Sequence, residues 1–366
     1  MEIAVIGGGH GCYAAAADLA EQGHAVRLWR RDAAALAPVR AHGGISLKDV
    51  RGERDVVLAL ITDDVADALA GAALVLAPLP ATAQAELAAT LAPHLADGQV
   101  VFVPPGSFGS FVMAQAVRER GNRAELAFAD AGTLPYLARK HGPRTVAITA
   151  RATRLPTGVF PAAAGERAFA VLRQAFPAIE PCRDALDAAL LNAGPIIHPP
   201  LIVLNAGPLQ HFERWDIHSE GTQPAVRAVH DALDAERIAV REALGYGAPH
   251  FPLADHYDPA REEWMYGNIA HERLQDSGDW REAIDLYHHR YMREDVAQGL
   301  VLLVSAADYA GVACPVAAGL LAICSAIVGE DLRAAGRSFE RLGLARLSLD
   351  RLHALLNDGE RPAQSG

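Results

Sequence analysis

Three groups of residues in this 366-residue chain have types and spacings that could do chemistry. The first is Gly7-Gly8-Gly9-His10-Gly11-Cys12, directly after the apolar run Ile3-Ala4-Val5-Ile6. Between a strand and a helix, such a run is a dinucleotide-binding fingerprint. Gly7 permits the tight turn and Gly9 lets the backbone approach a pyrophosphate. The third position is Cys12, where Gly or Ala is usual, and it is still small enough for close helix–strand packing. His10 and Gly11 then open a helix whose N-terminal amides and dipole favour phosphate. About twenty residues on, an NAD site usually places a carboxylate to hold the ribose diol. After Ala25-Val26-Arg27-Leu28-Trp29 this chain has Arg30-Arg31 instead. Paired guanidiniums suit a 2′-phosphate, so NADPH is favoured over NAD. Asp32 stands one or two positions late and would reach the ribose only if the strand ended elsewhere.

The second group is Asn192-Ala193-Gly194-Pro195-Ile196-Ile197-His198-Pro199-Pro200. His198 is a polar residue in an apolar, proline-punctuated run, expected at a helix start because Pro is tolerated in the first turn. Two readings stay open for it, a hydrogen-bonded core imidazole or a proton-transferring group. The third group is His289-Arg290-Tyr291-Met292-Arg293-Glu294-Asp295-Val296. Arg290 and Asp295 lie about 140° apart around an α-helix and so would not share a face. The expected arrangement puts Arg290 ahead of the helix and Asp295 in its first turn, where an acid is favoured. A capping acid with a surface arginine would fit the same pattern.

The elements that must position these groups change character along the chain. Up to about residue 184, short apolar runs alternate with helical stretches. Strands are expected at 3–6, 25–29, 73–76, 100–103, 126–129 and 146–149, and helices at 11–21 and 83–92. That alternation implies βαβ crossovers and a largely parallel sheet covered on both faces. The strand-to-helix loop Pro104-Pro105-Gly106-Ser107 is suited to the nicotinamide side of such a site. Beyond Asp184, apolar residues recur at helical spacing, as in Val226-Val229-His230-Leu233. The fold expected is therefore an α/β Rossmann-like N-terminal domain with a parallel sheet, residues 1–184, followed by an all-α C-terminal domain, residues 185–366. The polar tail from Gly359 to Gly366 is expected to fray.

Composition narrows the partners. With 51% apolar and 21% charged residues the chain can bury a sizeable core. The net charge of −11, scattered rather than run together, leaves no basic footprint for nucleic acid or an anionic membrane. Four scattered cysteines and an acidic start without a signal peptide suit a reducing, cytoplasmic setting. Tyr309 to Val328 has the length and lack of charge of a membrane span. Its Ala and Gly content and Pro315 point instead to buried helices of a soluble domain. Histidines near Asp255 and Asp258 match no standard metal-ligand spacing, and no metal is expected.

Taken together, these segments resemble the opine dehydrogenases, the octopine/nopaline dehydrogenase group. The resemblance covers nearly the whole chain: the glycine-rich start, Asn-x5-His-Pro at 192–199, Arg-Tyr-x2-Glu-Asp-Val at 290–296, then Gly299-Leu300-Val301, Gly336-Arg337 and Leu342-Gly343-Leu344. It implies a Rossmann-like domain followed by a helical one, with the active site in the cleft between them. The implied reaction condenses the amine of an amino acid with an α-keto acid and reduces the imine with NADH or NADPH. By motif, the family's catalytic histidine falls on His198, its carboxylate-binding arginine on Arg290 and its histidine-orienting aspartate on Asp295. The stretch from Gly207 to Gly267, with Trp215, His218, His250, His256, Tyr257, Trp264 and Tyr266, would shape the amine pocket or supply ordinary core aromatics. A homodimer is the implied assembly.

Two other functions fit the same layout. Carbonyl reductases of the ketopantoate type use a lysine from the helical domain, but the chain's two lysines, Lys48 and Lys140, are both in the N-terminal part. A nucleotide-binding sensor would need no acid–base group at all.

Overall fold

The computed structural model describes residues 1–258, 260–261, 264–267 and 270–359, so the tail at 360–366 lies outside the described residues. The chain forms two compact units. One comprises Met1–Leu79, Ala83–Ala189 and Leu356–Gly359; the other comprises Pro80–Thr82 and Leu190–Leu355.

The first unit contains β1 (Glu2–Ile6), β2 (Ala25–Trp29), β3 (Gly44–Asp49), β4 (Gly52–Val57), β5 (Leu60–Thr62) and β6 (Leu74–Leu76). It continues with β7 (Val100–Phe102), β8 (Ala127–Ala131), β9 (Tyr136–Lys140), β10 (Thr145–Arg151), β11 (Leu155–Phe160) and β12 (Ile179–Pro181). Eight of these make one sheet in the order β12-β11-β8-β7-β6-β1-β2-β5. Every pairing from β5 to β8 is parallel, whereas β11 joins β8 antiparallel. Ile3 to Ile6, Leu74 to Leu76 and Val100 to Phe102 are fully buried, as strands covered on both faces must be. The strand order reverses between β1 and β6, and in open α/β sheets ligands bind outside the carboxyl ends of strands at that point.

The single sheet expected from sequence is corrected by a second, four-stranded one, in the order β4-β3-β10-β9. Val146 to Thr149, expected in the parallel sheet, belongs to β10, which pairs antiparallel with β9 and parallel with β3. Strand-like composition is local, but the choice of sheet depends on pairing partners far away in sequence. The helix His10–Glu21 packs against strands of both sheets and is buried along Cys12 to Leu19. Its run Ala14 to Ala17 has no bulk to hold the sheets off. The buried Asp18 carboxylate accepts from the Tyr136 hydroxyl at 3.0 Å and from Arg151 Nε at 2.8 Å, which ties the second sheet to the helix.

The helix Ala185–Ala189 stays with the first unit, packed on β11, so the division falls a few residues beyond 184. At Gly158 in β11, a Cβ would lie 1.9 Å from the Asp184 carbonyl oxygen, and this glycine lets the two backbones touch.

The second unit is helical, with Gly194–Leu204, Pro224–Ala243, Val301–Ala310 and Pro315–Val328 among its helices and a π-helix at Tyr291–Leu300. Among the described residues its strand-like pairing is one isolated bridge, Trp215 with Glu282. The apolar stretch from Tyr309 to Val328 is not one helix: Gly311 ends the first at φ +69°, a usual glycine stop. Nor is it buried throughout. Pro315–Val328 buries Ala317, Leu320, Leu321 and Cys324, while Ala318, Gly319, Ala322 and Ile323 are exposed.

Candidate active site

In the first unit, the glycine loop sits at the carboxyl end of β1. Gly7 has φ +120°, and a Cβ there would come within 2.6 Å of Leu79 and 2.9 Å of the Cys12 sulfur. Gly9 caps the helix His10–Glu21 without a side-chain hydrogen bond, and a Cβ on it would meet nothing within 4 Å. The start of this helix thus has the dipole and the open backbone approach that a phosphate uses. Cys12 points inward, its thiol donating to the Ile6 carbonyl at 3.5 Å, and burial pushes that thiol up to about 11. It is a packing residue, not a nucleophile. Gly11 abuts Pro78, where a Cβ would lie 3.3 Å from the proline ring. These features fit a dinucleotide.

The two arginines after β2 part company. Arg30 folds back over the loop, its side chain 2.6–2.8 Å from where a Gly8 Cβ would lie. Arg31 points outward to Glu86 at 2.6 Å, both largely exposed. Asp32 serves as N-cap of the helix Ala33–His42, accepting from the Ala35 amide at 3.1 Å. His10 Nδ1 accepts the backbone N–H of Lys140 at 2.8 Å, and the Lys140 ammonium donates to the Gly8 carbonyl at 3.3 Å. Lys140 arrives from the second sheet, so no reading of the glycine motif could have found it. Further along, Ser107 and Phe108 both adopt left-handed conformations, at φ +49° and +67°, a strain that concentrates at functional loops. Gln84 Nε2 donates to the Gly106 carbonyl at 2.9 Å, and the buried Asp130 accepts from the Ser110 amide at 3.2 Å.

In the second unit, the helices Gly194–Leu204 and Tyr291–Leu300 approach closely because of two glycines. A Cβ on Gly299 would fall 2.0 Å from Pro195, and one on Gly194 would fall 2.2 Å from Asp295 Oδ1. Through this close approach His198 Nδ1 donates to Asp295 Oδ2 at 2.8 Å. The imidazole stacks on Tyr291, centroids 3.7 Å apart and planes 16° apart. The pair is largely buried, with side chains 13% and 6% exposed. Burial drives the Asp295 carboxyl up and the Arg290 guanidinium pulls it back. Glu294 is raised by burial and then by Asp295; its carboxylate accepts the Ala81 amide at 2.9 Å.

Two expectations are corrected here. His198 lies a turn inside its helix, with Pro199 and Pro200 following within it. Asp295 lies past the first turn, and the helix is a π-helix with Arg290 as its N-cap. Hydrogen bonding from i to i+5 brings residues five apart onto adjacent turns. Arg290 is thus half-buried, 5.0 Å over the Tyr291 ring and within electrostatic reach of Asp295. The 140° separation applied to the wrong helix type. A His held by a buried carboxylate beside a guanidinium can exchange a proton next to a bound anion.

Of the aromatic set between Gly207 and Gly267, the structure brings His218 to His198, ring centroids 5.9 Å apart. Trp280, outside that set, packs edge-on to His218 at 5.6 Å. His256, Tyr257 and Trp264 cluster with His271, and burial pulls both His256 and His271 below the ordinary imidazole range, the latter to about 4. Trp215 bonds Asn205 at 3.0 Å. His250 accepts from Arg241 at 2.9 Å. His230, which counted only toward helical spacing, donates through Nε2 to the Ile197 carbonyl at 3.0 Å, one residue before His198.

Gly194→Ala tests the close approach. It is expected to push Asp295 off His198, lowering kcat by roughly tenfold or more and stability by about 1–3 kcal/mol, as overpacking does. Steady-state kinetics with a thermal melt checks both.

The family described as NAD/NADP octopine/nopaline dehydrogenase, alpha-helical domain, matches residues 181–328. The N-terminal family of NAD-dependent glycerol-3-phosphate dehydrogenase matches residues 2–126. An opine dehydrogenase of Arthrobacter sp. (strain 1C) is 27% identical over 350 residues, 94% of this chain and 96% of that protein. An octopine dehydrogenase solved with NADH and agmatine superposes with a TM-score of 0.73 at 19% identity, covering 99% of both chains. A yersinopine dehydrogenase bound to NADP+ gives a TM-score of 0.61 at 17% identity over 97% of each chain.

Proposed function

The chain belongs to the opine dehydrogenase family, and from that premise we propose that it reductively joins the amine of an amino acid to an α-keto acid, with NADPH preferred over NADH. The observation that carries this reading is the buried His198–Asp295 pair with Arg290 beside it. A keto acid brings a carboxylate, which a guanidinium holds bidentately; Arg290 takes that role. With Nδ1 committed to Asp295, proton exchange with substrate falls to His198 Nε2. It takes a proton from the substrate ammonium so that the nitrogen lone pair can attack the keto carbon. The nitrogen passes a proton to the new alkoxide, and His198 returns its proton to the resulting hydroxyl, which leaves as water to give the protonated imine. Asp295 fixes the tautomer and stabilises the transient imidazolium, and stacking on Tyr291 restrains the ring. The nicotinamide, when bound, supplies the hydride that reduces the imine carbon. Gly7, Gly9, Gly11, Cys12 and the amides from His10 onward would seat its pyrophosphate. The reading carries with it a cytoplasmic setting and a homodimeric assembly, both resting on composition and resemblance.

The test is oxidation of NADPH, and separately NADH, with pyruvate or another α-keto acid, with and without a pool of amino acids. Oxidation that requires both keto acid and amine, with a secondary-amine product by mass spectrometry, is expected. Oxidation with the keto acid alone would make the protein a carbonyl reductase, and none across the panel with nucleotide binding intact would make it a sensor. In the same assay, Arg290→Ala is expected to raise the keto-acid KM by roughly ten- to a hundredfold, with a smaller change in the amine KM.

A further inference from the structure

Lys140 is a half-buried cation held next to another cation. Its ammonium lies 3.3 Å from the Gly8 carbonyl and 3.6 Å over the Tyr13 ring. Among the described residues no carboxylate pairs with it. Arg30 converges on the same residue, its guanidinium 2.8 Å from where a Gly8 Cβ would lie, and its nearest carboxylate, Asp32, is 3.9 Å away and mostly exposed. Burial pulls the Lys140 ammonium below its ordinary range and the Arg30 charge pulls it further. Folding a lysine and an arginine together over a glycine turn is unfavourable unless an anion joins them. The peptide elements hold this arrangement in place. The backbone of Lys140 is anchored to His10, at the start of the helix, and β9 is tied down through Tyr136 to Asp18.

We infer that Lys140 and Arg30 together form the seat for the nucleotide's 2′-phosphate, and that Lys140, not Arg31, is the second cation of that seat. Arg31 is engaged with Glu86 on the surface. The ammonium serves as the compact point charge and the guanidinium as the planar fork, a division suited to a phosphate monoester reached from two sides. Nucleotide preference in this chain is then set by the four-stranded sheet that delivers Lys140, as well as by the residue after β2. The inference deepens the NADPH preference proposed above, but it concerns binding alone and does not depend on the opine reaction.

The experiment is a titration of the substrate-free full chain with NADPH and NADH by fluorescence, for the wild type, Lys140→Met and Lys140→Arg. Competition with 2′,5′-ADP and 5′-AMP isolates the 2′-phosphate. Lys140→Met is expected to weaken NADPH and 2′,5′-ADP by about tenfold or more, as the loss of one charge-assisted hydrogen bond does. NADH and 5′-AMP should change by less than about threefold, which also certifies the fold, and Lys140→Arg should recover most of the NADPH affinity. Equal losses for both nucleotides would overturn the inference, placing Lys140 at the pyrophosphate or in a structural role. So would unchanged affinities, or a wild type that binds NADH more tightly than NADPH. Failure of the opine reaction leaves these titrations unaffected, so the two proposals fail separately.

Discussion

Replacing His198 by alanine is expected to lower kcat by about 10²- to 10⁴-fold, the range lost when a positioned acid–base group is removed. Nucleotide affinity should stay within about twofold, because a proton-transfer group adds little to ground-state binding. The glycine loop, Arg30 and Lys140 all lie in the other unit. The split between kcat and Kd separates a catalytic role from a structural one. A core imidazole whose loss loosened the helix Gly194–Leu204 would lower melting temperature in proportion to activity. His198→Ala also leaves the buried Asp295 without the partner that sits 2.8 Å away. Its melt should therefore be compared below pH 5, where a carboxyl raised by burial is protonated and neutral. Undiminished turnover would remove His198 from the catalytic set.

Asp295→Asn should move activity and stability in opposite directions. An amide cannot stabilise the imidazolium and does not enforce the tautomer, so kcat is expected to fall by about 10²- to 10⁴-fold. Stability should rise at neutral pH. The Asp295 carboxyl is raised in the folded chain chiefly by burial, so folding takes up a proton. A group shifted upward contributes its full stability below its unfolded pKa and loses it as pH climbs through the folded value. For the wild type, the penalty of a buried carboxylate grows from the ordinary carboxylate range up through neutrality. Asparagine has no such titration. The melting temperature of Asp295→Asn should match the wild type near pH 4 and exceed it by roughly 2–4 °C at pH 8, equivalent to about 1 kcal/mol. Melts across that range check the sign. A variant less stable than the wild type at pH 8 would mean that the hydrogen bond to His198 and the nearby Arg290 charge outweigh burial.

Both variants rest on residues visible in the sequence, and the reason is chemical. A histidine in an apolar, proline-bearing run and an acid after Arg290-Tyr291 stand out by type, as the glycine run does by spacing. The first strand–turn–helix–strand was legible for the same reason. Its signals are local: apolar runs, glycines at a turn, alanines at a helix that two sheets bury. The helical character of the second unit could be read from its 3.6-residue periodicity.

Other features became visible only in three dimensions. The second sheet exists because β3 pairs with β10, about a hundred residues away, and without it Lys140 would be one more surface lysine. The π-helix changed which side chains share a face. Periodicity arguments assume one helix type, and nothing in residues 291–300 marks a ladder from i to i+5. Gly194 and Gly299 read as ordinary small residues until their missing Cβ atoms prove to be the space in which Asp295 meets His198. The sequence by itself determined which chemistry is present and where along the chain each part lies, because residue type and local periodicity are properties of short segments. Tertiary structure alone decided which parts meet, because close approach and charge pairing depend on contacts between segments that do not encode one another.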